Sequence, residues 1–172
     1  MINAFVGDIV DVHTDVIVNA ANGIGVMGGG VAGSIRIAGG IEIQNEARRI
    51  CKNKLKEAGE CYVTGPGDLS ANNVKYIYHA VTMKYPGGYT SLNIISKAIK
   101  SVFEQLLLDD IESVAMTALG TGVGSLEYLS VANIMVKYAK EYDNILEIHF
   151  VDKNEKFINE VNRILNNDST KQ

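Results

Sequence analysis

The stretch Val16–Gly40, VIVNAANGIGVMGGGVAGSIRIAGG, constrains the fold more than any other part of the chain. It opens with three β-branched residues, and a short apolar run of this kind predicts a buried strand of a parallel sheet. Two asparagines, Asn19 and Asn22, follow at the carboxyl end of that strand. A loop with five glycines comes next, and Val31–Ala38 then predicts the first turns of a helix. The stretch therefore predicts a strand, a polar anchor and a glycine loop that leads into a helix.

The glycine loop has two interpretations. Ligands of open α/β sheets bind outside the carboxyl ends of the strands, and amide groups near a helix N-terminus favour an anion. Glycine clusters are also common in flexible turns, and this loop matches neither GxGxxG nor the P-loop pattern with its Lys and Ser/Thr. The amides of Asn19 and Asn22 favour the binding interpretation, because buried polar groups need partners and ligand hydroxyls can supply them.

The rest of the chain alternates between strand and helix patterns. Strands are predicted at Ile2–Val10, as an edge strand, and at Gly59–Thr64, Val74–Val81, Ile111–Ala118 and Ile145–Val151. Helices are predicted at Gly40–Lys56, Ser91–Leu108 and Glu127–Tyr142, and from Asp152 onward. This alternation predicts an α/β fold with right-handed βαβ units, a mixed, mostly parallel sheet and helices on both faces. We expect one domain over residues 1–165 and a polar, frayed tail over residues 166–172.

Charge and composition exclude several classes of partner. The 172 residues carry a net charge of −4, which argues against a non-specific nucleic-acid binder because such proteins are usually basic. No apolar run is long enough to cross a membrane, and no basic segment precedes the apolar residues of the N-terminus. We therefore expect a cytoplasmic protein with no membrane partner.

The cysteines and histidines do not indicate a metal or redox site. Two cysteines, Cys51 and Cys61, are too few for a disulfide framework, and Cys51 falls in helical register with apolar residues. The three histidines, His13, His79 and His149, are scattered without metal-ligand spacing. We expect buried or structural roles for these side chains, no metal and no cofactor.

A second glycine loop, Leu119–Ser125, directly follows the strand predicted at Ile111–Ala118. Strand ends of a mostly parallel sheet lie at one edge, so the two loops can face each other across a single cleft. Two walls of backbone N–H groups suit a diphosphate, and Thr121 could add a hydroxyl donor. Asp8 is either a turn residue or an acceptor for a ligand amine. With the asparagines, it would serve the ends of a nucleotide diphosphate with a sugar at each end.

Four motifs in this order and spacing resemble the macro domain family, and the resemblance covers nearly the whole chain. The motifs are Gly7-Asp8-Ile9, Asn19-Ala20-Ala21-Asn22, Gly28-Gly29-Gly30-Val31 and Ala118-Leu119-Gly120-Thr121-Gly122-Val123-Gly124. The chain looks most like the compact single-domain macro proteins of prokaryotes, especially archaea. The resemblance implies a three-layer α/β/α sandwich that binds ADP-ribose.

The resemblance also implies roles for individual residues. Asp8 matches the acid that bonds the adenine amino group, Ile9 matches a neighbouring backbone amide, and Asn22 matches the contact to the distal ribose. The two phosphate loops correspond to Gly28, Gly29, Gly30 and Val31, and to Leu119, Gly120, Thr121, Gly122, Val123 and Gly124. Family members often place an aromatic ring on adenine near the end of the last strand, where Phe150 is the candidate here.

Three functions remain open at this point. The first is a binding module for ADP-ribose, free or attached to proteins. The second is an ADP-ribosyl hydrolase or ADP-ribose 1''-phosphate phosphatase in the same cleft, with Asn22 as the candidate catalytic residue that orients the ribose. Many family hydrolases carry an aspartate where this chain has Ala32, which argues against strong catalysis. The third is an RNA or poly(A) module, which the acidic charge disfavours.

Overall fold

The computed structural model describes residues 1–169, and a six-stranded sheet forms its centre. The strands are β1 (Ile2–Val6), β2 (Val16–Asn22), β3 (Cys61–Thr64), β4 (Tyr76–Met83), β5 (Ser113–Met116) and β6 (Glu147–Asp152). Their order is β1-β6-β5-β2-β4-β3. β3 runs antiparallel to β4, and the other neighbouring strands pair in parallel. The predicted mixed, mostly parallel sheet is therefore confirmed, with β1 at one edge.

Helices cover both faces of the sheet. They are α1 (Gly30–Gly39), α2 (Ile41–Asn53), α3 (Leu92–Leu108), α4 (Tyr128–Tyr142) and α5 (Glu155–Ser169). α3, α4 and α5 share one hydrophobic core with the sheet, to which Ile99, Val136 and Phe157 contribute. α1 and α2 pack on the opposite face through Ile35 and Ile43. These layers confirm the α/β/α sandwich. None of the described helices is both long and apolar enough to span a membrane.

The strand β2 lies inside the sheet because its opening residues are apolar on both faces. Val16 and Val18 contact the core under α3 and α4, while Ile17 contacts the core under α1. All three side chains are fully buried. A strand covered on both faces requires such a continuous apolar run, which explains why it was recognisable from sequence. The carboxyl ends of β2, β5 and β6 meet at one edge, where the two glycine loops emerge.

The structure corrects several predicted boundaries. β1 ends at Val6 rather than Val10, because Asp8 accepts a hydrogen bond from the Val10 amide (3.2 Å) and caps a 3-10 turn over Ile9–Asp11. Asp152 ends β6 instead of beginning the last helix. α5 continues through Ser169, so residues 166–169 are helical where fraying was expected, and residues 170–172 lie outside the described residues.

Candidate functional site

The two glycine loops line one cleft at the carboxyl edge of the sheet. A cavity of about 500 Å³ lies between residues 28–32 of the first loop and residues 120–124 of the second, with Asn22 in its wall. A second cavity of about 450 Å³ extends past Asp8. The two cavities share the residues Gly30, Val31, Thr117 and Asp152. Together they form one elongated cleft, with Asn22 beside one half and Asp8 beside the other. We refer to this joined space as the cleft.

The first loop presents the N-terminus of α1 to the cleft. α1 begins at Gly30, and no side chain caps its first turn at Gly29. The first amides of an α-helix have no partner within the helix and carry partial positive charge. No acidic residue occurs in the first turn of α1. This wall of the cleft is therefore suited to an anion.

Three glycines of the cleft are not required by the fold. A Cβ atom built at Gly28, Gly29 or Gly122 would meet no atom within 4 Å, and none of the three has a positive φ. Gly28 and Gly29 lie in the first loop and Gly122 in the second, and all three line the larger cavity. A Cβ at any of them would enter cleft space without a steric conflict. Because these glycines carry no side chain, their backbone remains accessible from the cleft.

The second loop also contains a glycine that the fold does require. Gly120 has a φ of +75°, and a Cβ there would lie 2.8 Å from Ile95 Cδ1 and 3.0 Å from Leu126 Cδ1. Glycine is thus needed at Gly120 for the turn itself. The Leu119 side chain is fully buried in the core, so this residue can face a ligand only through its backbone.

The Thr121 hydroxyl was expected to donate to a phosphate, but it donates to the Ala118 carbonyl (3.1 Å). That bond closes the turn, so the structure assigns the hydroxyl to the loop rather than to the cleft. Val123 lines the cleft and is 79% exposed.

Asn22 shapes the loop that follows β2. Its Oδ1 accepts hydrogen bonds from the amides of Ile24 and Val26, each at 3.2 Å, and its Nδ2 donates to the Val26 carbonyl (2.8 Å). A side-chain amide has two N–H donors, so one N–H of Asn22 remains for a ligand. Asn22 is therefore both a loop anchor and a cleft residue.

Asn19 does not reach the cleft, contrary to the expectation that both asparagines would serve the ligand. Its side chain is fully buried and its Nδ2 lies 3.0 Å from His79 Nδ1. Successive side chains of a strand point to opposite faces of the sheet, and Asn19 and Asn22 are three residues apart on β2. Their side chains therefore point to opposite faces, and only Asn22 lines the cleft.

The Asp8 half of the cleft holds an ion pair that the sequence did not indicate. Lys153 Nζ lies 2.9 Å from Asp8 Oδ2. Burial raises the pKa of the Asp8 carboxyl, but the hydrogen bonds from Lys153 and the Val10 amide, with the Lys153 charge, outweigh it and hold that pKa below its usual value. Ile9 and Val151 give this half apolar walls. Asp8 is thus ionised at neutral pH and able to accept a hydrogen bond from a ligand amine.

Phe150, the candidate for stacking on adenine, does not face the cleft. Its ring is fully buried and packs edge-on against Phe157, with 6.3 Å between the ring centroids. Successive side chains of a strand point to opposite faces, so Phe150 enters the core under α5 while Val151 lines the cleft. The stacking role is therefore not retained for Phe150. No aromatic side chain lines the smaller cavity among residues 1–169.

Asp152 is a cleft residue that sequence reasoning missed. It lines both cavities and accepts hydrogen bonds from the Thr117 hydroxyl, from the Ala118 amide (3.2 Å) and from the Asn154 amide (2.7 Å). These bonds tie the end of β5 to the end of β6 below the second loop. The available signal was a polar residue at the carboxyl end of an apolar strand, the same signal that identified Asn22.

His79 lies in a buried polar network with Asn19 and Thr64. The Thr64 hydroxyl donates to the Gly65 carbonyl (3.2 Å), so its oxygen accepts the proton of His79 Nε2 (2.8 Å). His79 Nδ1 then accepts from Asn19, and the ring stacks on Tyr62 with 4.6 Å between centroids. Burial lowers the pKa of His79 to about 3, so the ring is neutral in the folded protein. The expected structural role for His79 is confirmed.

This network makes the stability of the protein depend on pH. An unfolded histidine titrates near 6.5, so below that pH the unfolded chain binds a proton that folded His79 does not. We expect the free energy of unfolding to fall by about 1.4 kcal/mol per pH unit from this group between pH 6.5 and pH 4. Urea unfolding at several pH values should show a shallower slope for His79→Gln than for the wild type. Equal slopes for the wild type and His79→Gln would contradict the assignment.

No group of three or more His, Cys, Asp or Glu side chains that could hold a metal occurs within residues 1–169. Cys51 is buried and unpaired, in agreement with its helical register.

Comparison with protein families identifies similar proteins. The family model described as the macro domain matches residues 18–135. An uncharacterized protein of Aeropyrum pernix is 39% identical over 73% of this chain and 64% of its own length. A macro domain-containing protein of Caldanaerobacter subterraneus is 34% identical over 84% of each chain.

Solved structures share the fold. The Oceanobacillus iheyensis macrodomain, solved with MES bound, superposes with a TM-score of 0.86 at 23% identity and covers 98% of this chain and 92% of its own. A Trypanosoma brucei macrodomain, solved in complex with ADP-ribose, gives a TM-score of 0.79 at 24% identity over 95% of this chain and 68% of its own. At these identities the superpositions establish the architecture of this chain.

Proposed function

This chain belongs to the macro domain family, and from that premise we propose that its cleft binds ADP-ribose, either free or attached to a protein. The diphosphate lies between the two glycine loops, the distal ribose beside Asn22 and the adenine beside Asp8. Two adjoining cavities, one lined by Asn22 and the other by Asp8, support a ligand with a sugar on each side of a diphosphate.

The observation that carries the proposal is the set of glycines that the fold does not require. Gly28, Gly29 and Gly122 line the cleft from opposite loops, and each would accept a Cβ without a steric conflict or backbone strain. A ligand that approaches the backbone closely accounts for glycine at all three positions. Phosphate oxygens bound by backbone amides make such an approach, and the N-terminus of α1 adds a favourable field.

A calorimetric titration with ADP-ribose and with AMP tests the proposal. ADP-ribose should bind more tightly than AMP, because AMP lacks the second phosphate and the distal ribose that the Asn22 half of the cleft would contact. ADP serves as an intermediate case, since it carries both phosphates without the ribose. Equal affinities for ADP-ribose and AMP would refute the assignment of that half of the cleft.

Asp8→Ala should weaken ADP-ribose binding by about 1–3 kcal/mol, the cost of a lost hydrogen bond to a charged group. The substitution removes the acceptor proposed for the adenine amine. Glu141→Ala provides a control, since Glu141 is an exposed acid near the end of α4. Titration calorimetry should show normal affinity for Glu141→Ala. If Asp8→Ala remains folded and also binds normally, then Asp8 is only the cap of its turn.

The residues of the cleft favour binding over strong hydrolysis. The first turn of α1 places Ala32 at the wall of the cleft, where it offers no base. Asp8 pairs with Lys153, and the Asp152 carboxylate accepts three hydrogen bonds from the protein. Any hydrolysis would then depend on positioning and on Asn22 orienting the ribose. We therefore propose a binding protein whose hydrolase activity is slow.

Ala32→Asp should raise the release of ADP-ribose from a modified protein, because it supplies a carboxylate at the position where many family hydrolases carry one. The same charge should weaken binding of the diphosphate. Ala32→Asn is the control of equal size, and it should leave release at the wild-type rate. Release is measured as free ADP-ribose over time. Rapid release by the wild type that survives Asn22→Ala would contradict this account, since the chemistry would then lie on other residues.

We extend the proposal to a cytoplasmic location. Cys51 and Cys61 are both unpaired thiols, as is usual for proteins of a reducing compartment.

A further inference from the structure

The densest positive charge of the chain lies beside the cleft. Residues 47–56, ARRICKNKLK, contain five basic residues and no acidic residue, although the net charge of the chain is −4. Four of these side chains are exposed, namely Arg48, Arg49, Lys52 and Lys54. None of the four takes part in an ion pair within residues 1–169. Their charge is therefore available to a partner.

Three of these residues line a groove on the surface of α2. The groove has a volume of about 530 Å³ and is lined by Ile24, Asn45, Arg48, Arg49, Cys51 and Lys52. We call it the basic groove; no carboxylate lines it. Of the nearby acids, Glu46 accepts from the Gly65 amide (3.2 Å), Glu57 pairs with Lys84 (2.8 Å), and Glu42 accepts from the side chain of Asn45 at the rim of the groove (3.1 Å). The three cations that line the groove therefore outnumber the one acid bonded to its lining.

A single short loop separates the basic groove from the cleft. Ile24 lines the groove, whereas Asn22 and Val26, on either side of it in the chain, line the cleft. The loop lies directly on α2, because a Cβ at Gly25 would stand 2.6 Å from the Ala47 carbonyl oxygen and 2.7 Å from the Arg48 nitrogen. The groove therefore borders the cleft at its Asn22 half.

We propose that the basic groove docks an acidic segment of the protein to which ADP-ribose is attached. The inference rests on the proposed function, in which the distal ribose lies beside Asn22. A protein-linked ADP-ribosyl group is joined to its carrier through that ribose, so the carrier polypeptide leaves the cleft at the Asn22 half and meets the groove. Acidic side chains beside the modified residue complement Arg48, Arg49 and Lys52.

A nucleic acid fits the groove less well than an acidic peptide. Proteins that bind single strands stack the bases on aromatic side chains, and no aromatic residue lines the groove. A polypeptide needs only its carboxylates to meet the cations. Exposed ion pairs are individually weak and are screened by salt, so we expect a moderate preference that falls as ionic strength rises.

The experiment compares two synthetic peptides that carry ADP-ribose on a central serine. One has two aspartates on each side of the serine, and the other has alanines at those positions. Calorimetry measures both peptides and free ADP-ribose with the wild type and with Arg48→Glu/Arg49→Glu. Lys100→Glu/Lys137→Glu makes an equal charge change at exposed sites on α3 and α4, across the sheet. Lys52→Glu serves as a second groove variant, and circular dichroism verifies that each variant is folded.

The wild type and the control should bind the acidic peptide about tenfold more tightly than the alanine peptide at 50 mM salt, with a smaller ratio at 300 mM. Arg48→Glu/Arg49→Glu should remove this preference while it binds free ADP-ribose within about twofold of the wild type. If the wild type binds free ADP-ribose but binds both peptides with equal affinity, the inference is overturned and the proposed function stands. An absence of ADP-ribose binding would overturn the proposed function and the inference with it. A third outcome is that the wild type binds a poly(A) oligonucleotide, that Arg48→Glu/Arg49→Glu abolishes this binding, and that peptide binding is the same in both proteins. That result would overturn the inference and assign the groove to a nucleic acid.

Discussion

Gly29→Glu should abolish ADP-ribose binding without unfolding the protein. Gly29 caps α1 at the wall of the cleft, and a Cβ there would meet no atom within 4 Å. The new carboxylate would enter the proposed phosphate position. Two like charges about 4 Å apart repel by roughly 4 kcal/mol at the effective dielectric of a protein surface, which corresponds to several hundredfold in affinity.

Two further variants separate the causes of this loss. Gly29→Gln adds a similar volume without the charge, and it should weaken binding less than Gly29→Glu. Ile37→Glu adds the same charge at a site on α1 that is 80% exposed, away from the first turn, and should bind normally. Calorimetry gives the affinities and urea unfolding verifies the fold. Normal binding by folded Gly29→Glu would mean that the phosphates lie elsewhere.

Gly120→Val and Gly122→Val should affect different properties, although the two glycines lie two residues apart. The first variant should lose stability, and the second should lose ADP-ribose binding. Gly120→Val forces a β-branched residue to a φ of +75° and crowds Ile95 and Leu126. We expect it to lower the free energy of unfolding by about 2–4 kcal/mol. A Cβ at Gly122 would meet no atom within 4 Å and the residue borders the cavity, so the stability of Gly122→Val should stay within about 0.5 kcal/mol of the wild type. Its side chain would fill the cleft, and ADP-ribose affinity should fall at least about tenfold.

Urea unfolding and calorimetry on both variants provide the comparison. The predicted pattern is a loss of stability for Gly120→Val, and a loss of binding at unchanged stability for Gly122→Val. Gly122→Val that binds normally would show that the second loop does not approach the ligand. Wild-type stability in Gly120→Val would show that its turn tolerates a side chain.

The sequence was informative where one physical requirement dominates a local segment. Val16, Ile17 and Val18 are apolar on both faces because a central parallel strand is covered on both faces, so β2 was recognisable. The helix α3 was predicted over Ser91–Leu108, and in the structure Ser91 accepts from the Ile94 amide (3.2 Å) as the N-cap. These features depend on neighbours along the chain.

Features that depend on contacts through space were missed or misplaced. The ion pair between Lys153 and Asp8 joins residues from opposite ends of the chain, so no local sequence pattern predicts it. Phe150 was placed beside the ligand because the family resemblance implies an aromatic ring near the end of the last strand, but a shift of one residue along a strand moves a side chain to the opposite face. Which glycines serve the turn and which serve the cleft likewise follows only from their neighbours in space, as Gly120 and Gly122 illustrate.

The most direct test of the central claim is a nuclear magnetic resonance titration of protein labelled with 15N-glycine. The chain has 17 glycines, so the spectrum reports the backbone amides of both loops and of distant turns together. Saturating ADP-ribose should shift the amides of Gly28, Gly29 and Gly122 strongly, while Gly67, whose Cβ would lie 2.0 Å from the Gly39 carbonyl oxygen in a packed turn, should stay in place. Binding that leaves the glycine signals of both loops unshifted would contradict the claim that these loops hold the diphosphate.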